Sequence, residues 1–405
     1  MSAHKKIMLG IDVLTAARQR IEWVFDTFPR IYVSFSGGKD STVMLHLVME
    51  EAEKRNKKIG VLFIDWEAQY QLTIEHVSEM FKLYEGYIIP YWVSVPLKTV
   101  NAVSQFEPEW ISWEPGKENL WVRSPHPISI TNSKVFPFYT YAMTFEEFVP
   151  MFGAWFGNGE LTACFVGIRT GESLNRWRTL YHENKEMTGG KSYTTVIGDK
   201  VSNIYPIYDW ITEDIWKFHG KTKLPYNKLY DRMYQAGVPL HNMRICEPYG
   251  NEQRKGLWLF HIIEPETWGK IVARVNGANS GSLYSKERGN ILGVNIISLP
   301  QNHTWRSFAT HLLESMPEKT SDHYKNKIAV YLHWCQVHGY PDGIPYEQEG
   351  DCDSKDNKPS WKRICKTLLR NDYWCKTLSF APTKTSGYPR YQKLMKERRE
   401  QWNLI

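Results

Sequence analysis

The feature that most constrains this chain is an alternation of short apolar runs with stretches of helical periodicity near its N-terminus. The apolar runs and the stretches between them lie, in chain order, at residues 31–35, 42–55, 59–65, 71–84 and 87–95. Strands that alternate with helices at this spacing form right-handed crossovers and therefore a parallel sheet. A further apolar run at 163–169 predicts another strand, and an amphipathic helix is expected at 11–28.

Two regions depart from this alternation. Residues 101–160 combine six prolines with many tryptophans and phenylalanines, a composition too aromatic for a linker, and predict an insertion packed on the sheet. Near the C-terminus, helices are expected at residues 305–315, 322–338 and 360–369. The predicted fold is therefore an α/β, Rossmann-like parallel sheet in residues 1–300, followed by a helical domain in residues 301–405.

Three local expectations concern the second half of the larger domain. Thr212 resembles a helix N-cap, because the acidic Glu213 and Asp214 follow it in the first turn. Residues 257–275 have a helical period. The segment that ends at Tyr205 has little regular signal, and its Gly189-Gly190 pair indicates a mobile stretch.

Composition argues against several classes of protein. No apolar run approaches the roughly 18 residues that a membrane helix needs, and the N-terminus lacks the apolar core of a secretory leader. The chain has six cysteines and no CxxC pair, which indicates reduced thiols in a cytoplasm rather than a disulfide scaffold. Ordinary proportions of charged and hydrophobic residues, 23% and 42%, exclude general disorder.

A glycine-bearing turn, residues 36–41, lies directly between the first predicted strand and its helix. It consists of Ser36, Gly37, Gly38, Lys39, Asp40 and Ser41. Two glycines permit a tight turn whose backbone N–H groups converge on phosphate oxygens, and the helix N-terminus adds positive potential. Lys39 supplies a cation, Asp40 is a candidate Mg²⁺ ligand, and both are expected on an exposed turn. The alternative is a simple Gly-Gly turn that opens a helix; a Walker A loop is absent.

Further candidates follow later strands. Asp65 ends the second strand, where α/β sheets bind ligands, and could accept hydrogen bonds from a ribose or only open a helix. Arg169, Arg176 and Arg178 carry guanidinium groups that suit phosphate or sulfate, although such a cluster can also form a solvated face. Glu172 lies among them.

At these residues the chain resembles the PP-loop ATP pyrophosphatases, and within them the phosphoadenosine phosphosulfate (PAPS) reductase-like family. SFSGGKDS is that family's signature, and three later stretches resemble its other blocks: LFIDWEAQY, GIRTGESLNR, and PIYDWITEDIWKF followed by LPYNKLYDRMYQAG. The resemblance implies an adenine nucleotide alpha hydrolase-like fold and nucleotide contacts from Gly167, Arg169, Glu172 and Arg176. The whole chain also resembles a subgroup of the immunoglobulin-binding regulator A type, which implies a small ParB/sulfiredoxin-like protein partner.

Three functions remain open at this point. The first is an enzyme that binds ATP with Mg²⁺ and cleaves it between the α- and β-phosphates, with Lys39, Asp40 and Arg169 as catalytic residues. The second is a sulfonucleotide reductase, which needs an accessible thiolate that this sequence does not present in a recognisable motif. The third is a nucleotide-dependent regulator that acts through a ParB-like partner or DNA.

The remaining cysteines and the C-terminal tail carry weaker signals. Cys246 and Cys375 are expected to be inert, no iron–sulfur cluster is expected, and Cys335 with His338 is the one ligand-like pair. Residues 355–405 hold 13 lysines and arginines against 4 acids. Within residues 384–405 the cations alternate with aromatics, a pattern that suits nucleic-acid binding, protein docking or a solvated face.

Overall fold

The protein is described by a computed structural model. The residues it describes are 10–104, 107–181, 185–198, 200–245, 249–250, 256–283, 297–351, 358–370, 372–373 and 375–379. They divide into two compact units. The first comprises Met1–Val95, Pro125–Thr140 and Phe148–Ile245, and the second comprises Pro96–Ser124, Tyr141–Glu147 and Cys246–Ile405. The domain bounds 1–300 and 301–405 stay a prediction, and these compact units divide the chain differently.

The first unit contains the alternating strands and helices that the sequence predicts. Its elements are α1 (Val13–Thr27), β1 (Arg30–Ser34), α2 (Lys39–Lys54), β2 (Ile59–Ile64), α3 (Gln71–Leu83), β3 (Ile88–Val93), most of α4 (Phe145–Gly157), β6 (Thr162–Val166), α5 (Leu174–Tyr181), β7 (Thr194–Gly198), β8 (Val201–Ile204), α6 (Thr212–Thr222) and α7 (Leu229–Gln235). The main correction to the early elements is the start of α2, which begins at Lys39 rather than at residue 42.

Six strands form one sheet in the order β3-β2-β1-β6-β8-β7. All neighbouring pairs are parallel except β7 with β8, which is antiparallel. From β1 the chain moves outward through β2 to β3, and it later returns to the opposite side of β1 as β6. The order therefore reverses between β1 and β6, and ligands of open α/β sheets bind at such a switch point, beyond the carboxyl ends of the strands.

The sheet is buried on both faces, as parallel sheets require. All six residues of β2 are buried, and α1, α2 and α3 bury apolar faces in the same core cluster. On the sheet itself, Phe152 and Phe156 of α4 contact Tyr32 and Tyr91 with ring centroids 5.2–5.8 Å apart. This part of the predicted insertion therefore packs on the sheet, whereas residues 96–124 belong to the second unit. The Rossmann-like α/β fold class is confirmed.

The structure corrects one local prediction, the N-cap of α6, and refines two others. Ile211 is the N-cap of α6, and its backbone N–H donates to Asp214 Oδ2 at 3.0 Å, so Thr212 is already helical. Residues 257–275 are helical, as predicted, but they form two helices, because Pro265 has no N–H to continue the first of them. The β7–β8 hairpin occupies the segment without regular signal; its strands do not alternate strictly between buried and exposed residues, so the period-2 pattern is weak.

The second unit combines a small sheet with helices. Its elements are β4 (Lys98–Val100), β5 (Glu109–Ile111), α8 (Leu257–Ile263), α9 (Pro265–Arg274), α10 (Ala278–Leu283), α11 (Trp305–Glu314), α12 (Glu318–Val337) and α13 (Trp361–Leu369). Strands β4 and β5 pair antiparallel, and helices α11 to α13 share a core that includes Phe308, Tyr324 and Leu368. The C-terminal part is helical, as predicted. None of the helices in the described ranges has the length and apolarity to cross a bilayer.

Candidate functional site

The turn at residues 36–41, called the phosphate loop below, connects β1 to α2 at the switch point of the sheet. Gly37 has φ +71°, a conformation that L side chains rarely adopt, and a Cβ atom there would lie 2.9 Å from Thr73 Cγ2. Gly38 is the N-cap of α2. Backbone geometry therefore requires a glycine at position 37, whereas Gly38 has an extended φ of −80° that other residues also adopt. The loop directs the N-terminus of a 16-residue helix toward the switch point.

The serines of the phosphate loop hydrogen-bond within the loop. Ser36 is exposed, and its Oγ lies 2.9 Å from the Oγ of the buried Ser41. Ser41 Oγ donates to the carbonyl oxygen of Gly38 at 3.0 Å, and Thr42 Oγ1 donates to the same oxygen at 2.9 Å. These bonds fix the first turn of α2 before any ligand binds.

Lys39 and Asp40 lie in the interior rather than on an exposed turn, which corrects the prediction. They are 4% and 8% exposed, because α2 begins at Lys39 and its first turn is covered by later segments. Lys39 Nζ donates to the carbonyl oxygen of Met243 at 3.0 Å and lies 3.2 Å from Asp40 Oδ2. Burial lowers the pKa of the Lys39 ammonium, and the neighbouring Asp40 carboxylate opposes that shift.

Arg169 reaches the phosphate loop from the carboxyl end of β6. Its Nε donates to Asp40 Oδ1 at 2.5 Å, and the residue is 3% exposed. Gly167 permits this approach, since a Cβ there would lie 3.0 Å from the backbone N and Cα of Ser41. The structure thus brings Arg169 to Asp40 and its neighbour Lys39, although Asp40 and Arg169 are 129 positions apart in the sequence.

The position of Asp40 does not fit a Mg²⁺ ligand. One of its carboxylate oxygens contacts Arg169 and the other contacts Lys39, so both face cations. Magnesium requires several oxygen ligands in near-octahedral geometry. Within the described ranges no group of three or more His, Cys, Asp or Glu residues could hold a metal ion. Asp40 is instead a bridge between two cations.

Beyond Arg169, the second cluster of candidates is organised around Glu172. The carboxylate of Glu172 forms an ion pair with Arg176 and lies 3.7 Å from Arg169 Nη2. Arg244 Nη2 donates to the backbone carbonyl of Glu172 at 2.6 Å. Arg178 is exposed. Glu172 therefore pairs with Arg169, which lies beside the phosphate loop, and with the partly exposed Arg176.

Asp65 lies at the carboxyl end of β2, as expected, but its carboxylate contacts protein donors. It is 1% exposed and accepts hydrogen bonds from Trp92 Nε1 at 2.8 Å and from the Glu67 backbone N–H at 3.0 Å. These bonds order the segment that follows β2. Contact between Asp65 and a ribose stays a prediction.

Sequence reasoning missed the residues that support the loop from α6, α7 and the segment between them. Asn227 Nδ2 donates to the Gly37 carbonyl oxygen at 3.0 Å, and the Tyr230 hydroxyl accepts a bond from the Lys39 backbone N–H at 3.0 Å. His219 Nε2 lies 3.4 Å from the Lys39 carbonyl oxygen. The signal that could have identified them is the polar and aromatic content of LPYNKLYDRM, in which Asn227 is fully buried.

Three buried histidines lie around the phosphate loop and are neutral. His76 Nε2 lies 2.9 Å from Thr42 Oγ1, and His46 Nδ1 lies 2.6 Å from the Tyr84 hydroxyl. Burial lowers the pKa of His76 to about 3 and that of His46 and His219 to about 4. Neutral imidazoles serve here as hydrogen-bonding groups and do not add positive charge to the site.

The cysteines that the structure describes are buried. They are Cys164, Cys335, Cys365 and Cys375. Burial raises the pKa of Cys164 to about 12, and burial also raises the pKa values of Cys335 and Cys375. Near Cys335, His338 is exposed and its Nδ1 lies 2.8 Å from the Trp334 carbonyl oxygen. The predictions for Cys246 and for the basic tail 384–405 lie outside the described residues.

Comparison with family models assigns the two halves of the chain separately. The phosphoadenosine phosphosulfate reductase domain matches residues 30–110 and 150–236, which include the phosphate loop and the Arg169 segment. A domain of unknown function, DUF3440, matches residues 237–343 and 342–388. The unmatched stretch between 110 and 150 falls within the predicted insertion.

Relatives extend the likeness over the whole chain. The uncharacterized protein YbdN of Escherichia coli K12 is 49% identical over 99% of this chain and 98% of its own length. Adenosine 5′-phosphosulfate reductase 2 of Bacillus subtilis 168 is 22% identical over 59% of this chain and 83% of its own. The crystal structure of Candida auris PAPS reductase, in a phosphate complex, is similar with a TM-score of 0.34 and 16% identity, over 58% of this chain and 89% of its own. The chain therefore belongs to the PAPS reductase-like family, as a full-length relative of YbdN.

Proposed function

We propose that this protein is an adenine-nucleotide enzyme that holds the pyrophosphate end of ATP in the phosphate loop and cleaves ATP between the α- and β-phosphates. The observation that carries the proposal is the convergence of Lys39 and Arg169 on the N-terminus of α2, at the switch point of the sheet. Three cations (Lys39, Arg169 and Arg176), two carboxylates (Asp40 and Glu172) and a helix N-terminus leave the site positive, which suits a polyanion.

In this reaction the protein positions the reactants and stabilises the developing charge. An acceptor oxygen, from water or a second substrate, bonds to the α-phosphorus as the bond to the bridging oxygen of pyrophosphate breaks. The proton of the acceptor passes to solvent. The Lys39 ammonium, the N–H groups of the loop and Arg169 stabilise the charge that develops on the leaving pyrophosphate. Magnesium arrives as part of the MgATP substrate, and Asp40 orients the two cations rather than the metal.

The family match favours a second candidate, a sulfonucleotide reductase. That reaction needs a thiolate that attacks sulfur, and a low thiol pKa with access to solvent is what makes a cysteine reactive. Cys164, Cys335, Cys365 and Cys375 are buried, and for three of them burial raises the thiol pKa. On the evidence of these four cysteines we keep the reductase as the second candidate; Cys246 and Cys352 lie outside the described residues.

Product analysis separates the candidates. The purified protein is incubated with MgATP, and AMP, ADP, pyrophosphate and phosphate are resolved; parallel reactions contain PAPS or adenosine 5′-phosphosulfate with thioredoxin and are assayed for sulfite. We expect pyrophosphate and an adenylyl product from ATP, and a loss of roughly 10²–10³-fold in kcat for Lys39→Ala. Sulfite release without ATP cleavage would instead establish the reductase. Nucleotide binding without turnover would favour the regulator.

The resemblance to a subgroup with a ParB-like partner, and the basic tail 384–405, support a further interaction with protein or nucleic acid. A chain that ends at residue 383 should keep ATP turnover within about twofold but lose any affinity for DNA or RNA. Because phosphate contacts release counterions, that affinity should fall steeply with salt in the full chain. Fluorescence anisotropy at low salt measures it, and absence of binding by the full chain would leave a protein partner or a solvated face.

A further inference from the structure

Asn227 is a buried amide between three elements of the first unit. It is 0% exposed and precedes α7 by two residues. Its Nδ2 donates to the carbonyl oxygen of Gly37 at 3.0 Å and to Thr73 Oγ1 of α3 at 3.1 Å. Its Oδ1 accepts a bond from the Leu229 backbone N–H at 2.9 Å. The side chain thus uses both of its amide hydrogens and its oxygen to connect the phosphate loop to α3 and α7.

The bond to Gly37 determines where the next N–H group points. In a trans peptide the carbonyl oxygen of one residue and the N–H of the next point in opposite directions. Because Asn227 holds the Gly37 oxygen toward the interior, the Gly38 N–H faces the other side, where the exposed Ser36 lies with its Oγ at 3.4 Å. Gly37 has no Cβ and φ +71°, so its own conformational preference does not fix this peptide plane.

We propose that Asn227 is a positioning residue of the phosphate loop, which aims the Gly38 N–H at the bound anion by anchoring the Gly37 carbonyl. The inference rests on the proposed function, because it assumes that the loop binds the pyrophosphate end of a nucleotide. Asn227 touches no substrate atom in this role. It acts through the peptide between Gly37 and Gly38.

The test is the affinity of the full-length protein for inorganic pyrophosphate, measured by calorimetry, in the Asn227→Asp variant. A carboxylate keeps the shape of the amide but has no hydrogen to donate, and it repels the Gly37 oxygen. Loss of one oriented N–H to an anion should weaken binding roughly 10- to 100-fold near pH 8. Thr73→Val is the matched control, since it removes the other acceptor of the same amide and leaves the Gly37 bond in place; its affinity should stay within about threefold of the wild type.

The pH dependence of pyrophosphate affinity in Asn227→Asp distinguishes a positioning role from a purely structural one. A buried aspartate has a raised pKa, and its protonated form regains one O–H donor for the Gly37 oxygen. The ratio of variant to wild-type affinity should therefore approach one between about pH 8 and about pH 5.5. The ionisable groups on surrounding elements are Lys39, His76 and His219, with Lys228 adjacent in sequence. Burial lowers the pKa of His76 to about 3 and of His219 to about 4, so both stay neutral over this range.

The outcomes separate this inference from the proposed function. Wild-type protein that binds no pyrophosphate would refute the proposed function itself. Wild-type binding with equal affinity in Asn227→Asp near pH 8, or a weakened variant that is folded but does not recover at low pH, would overturn the positioning role alone. If Asn227→Asp does not fold, Asn227→Ala decides: an affinity at least tenfold weaker supports the inference, and any smaller loss contradicts it.

Discussion

At the scale of single residues, Asp40 is central because it is the counter-ion of two buried cations. Its oxygens contact Lys39 and Arg169, and all three residues are less than 9% exposed. Removing one member of a buried ion cluster leaves uncompensated charge, which costs more than the cluster contributes. In the free protein the Asp40 carboxylate therefore neutralises part of the charge of Lys39 and Arg169. The phosphates of a bound ligand would contact the same two cations.

Replacement of Asp40 by asparagine should destabilise the free protein by about 3 kcal/mol, because Lys39 and Arg169 then lack their shared carboxylate. Pyrophosphate should recover much of that loss, since it supplies negative charge to the same cations. Thermal unfolding with and without pyrophosphate measures both effects. Glu50→Gln, which removes an exposed partner of Arg18, is a matched control and should change stability by less than about 1 kcal/mol. An Asp40→Asn protein as stable as the wild type would contradict the bridging role.

The cysteines give a second prediction at this scale. Because Cys164, Cys335, Cys365 and Cys375 are buried, they should react with a thiol reagent such as iodoacetamide only on unfolding. Mass spectrometry of peptides from native and urea-treated protein locates the modified thiols. Rapid modification of Cys375 in the native state, together with loss of sulfite release in Cys375→Ser, would restore the reductase as the leading function.

At the scale of elements, helices α2, α3 and α6 each contribute a buried neutral histidine: His46 on α2, His76 on α3 and His219 on α6. Burial lowers their pKa values to about 4, about 3 and about 4, below the ordinary value of 6.5. Their stabilising contribution is therefore complete above about pH 6.5 and is lost as pH falls toward about 4, because the unfolded chain binds protons first.

The free energy of unfolding should accordingly decrease between about pH 6.5 and about pH 4, by up to about 1.4 kcal/mol per pH unit for each histidine. Urea titrations at several pH values measure the slope. His76→Gln should reduce the slope of the free energy of unfolding against pH by the contribution of one proton. The control His261→Gln, at an exposed position, should leave that slope unchanged. A slope that His76→Gln does not alter would show that this imidazole is already charged in the folded protein.

The sequence was most informative where one periodicity dominates. Strands β1 and β2 and helix α3 were predicted to within two residues because their apolar patterns are continuous. The β7–β8 hairpin was not, since its short strands have no clear alternation. Within the site, the loop itself could be predicted from its glycines. The polar and aromatic content of their segment marks Asn227 and Tyr230 as candidates, but their contacts with the loop could not be predicted, because they are 190 and 191 residues from their partners and only the folded chain brings them there.

At the scale of the whole molecule, the second unit is assembled from distant parts of the chain. Asn101 Nδ2 donates to the Asn276 carbonyl oxygen at 3.0 Å, and Arg274 Nη1 lies 3.7 Å from Glu114 Oε2. The Tyr373 hydroxyl donates to Glu109 Oε1 at 3.1 Å. The segment 96–124 therefore depends on residues beyond 245 for its packing.

A chain that ends at residue 245 should consequently be less stable and more sensitive to protease within 96–124 than the full chain. The cut leaves Trp110, which is 4% exposed in the full chain, without Tyr249 and Arg274 beside it. Limited proteolysis followed by mass spectrometry tests this expectation. A shortened chain with wild-type protease resistance at 96–124 would contradict the dependence of that segment on residues beyond 245.

The most direct test of the central claim is a crystal structure of the full-length protein with pyrophosphate. We expect pyrophosphate at the N-terminus of α2, within hydrogen-bonding distance of the Gly38 N–H and the Lys39 ammonium, with Arg169 on its other side. Lys39→Ala crystals grown under the same conditions should lack that density. Pyrophosphate bound elsewhere, or bound at the loop equally well without the Lys39 ammonium, would contradict the assignment.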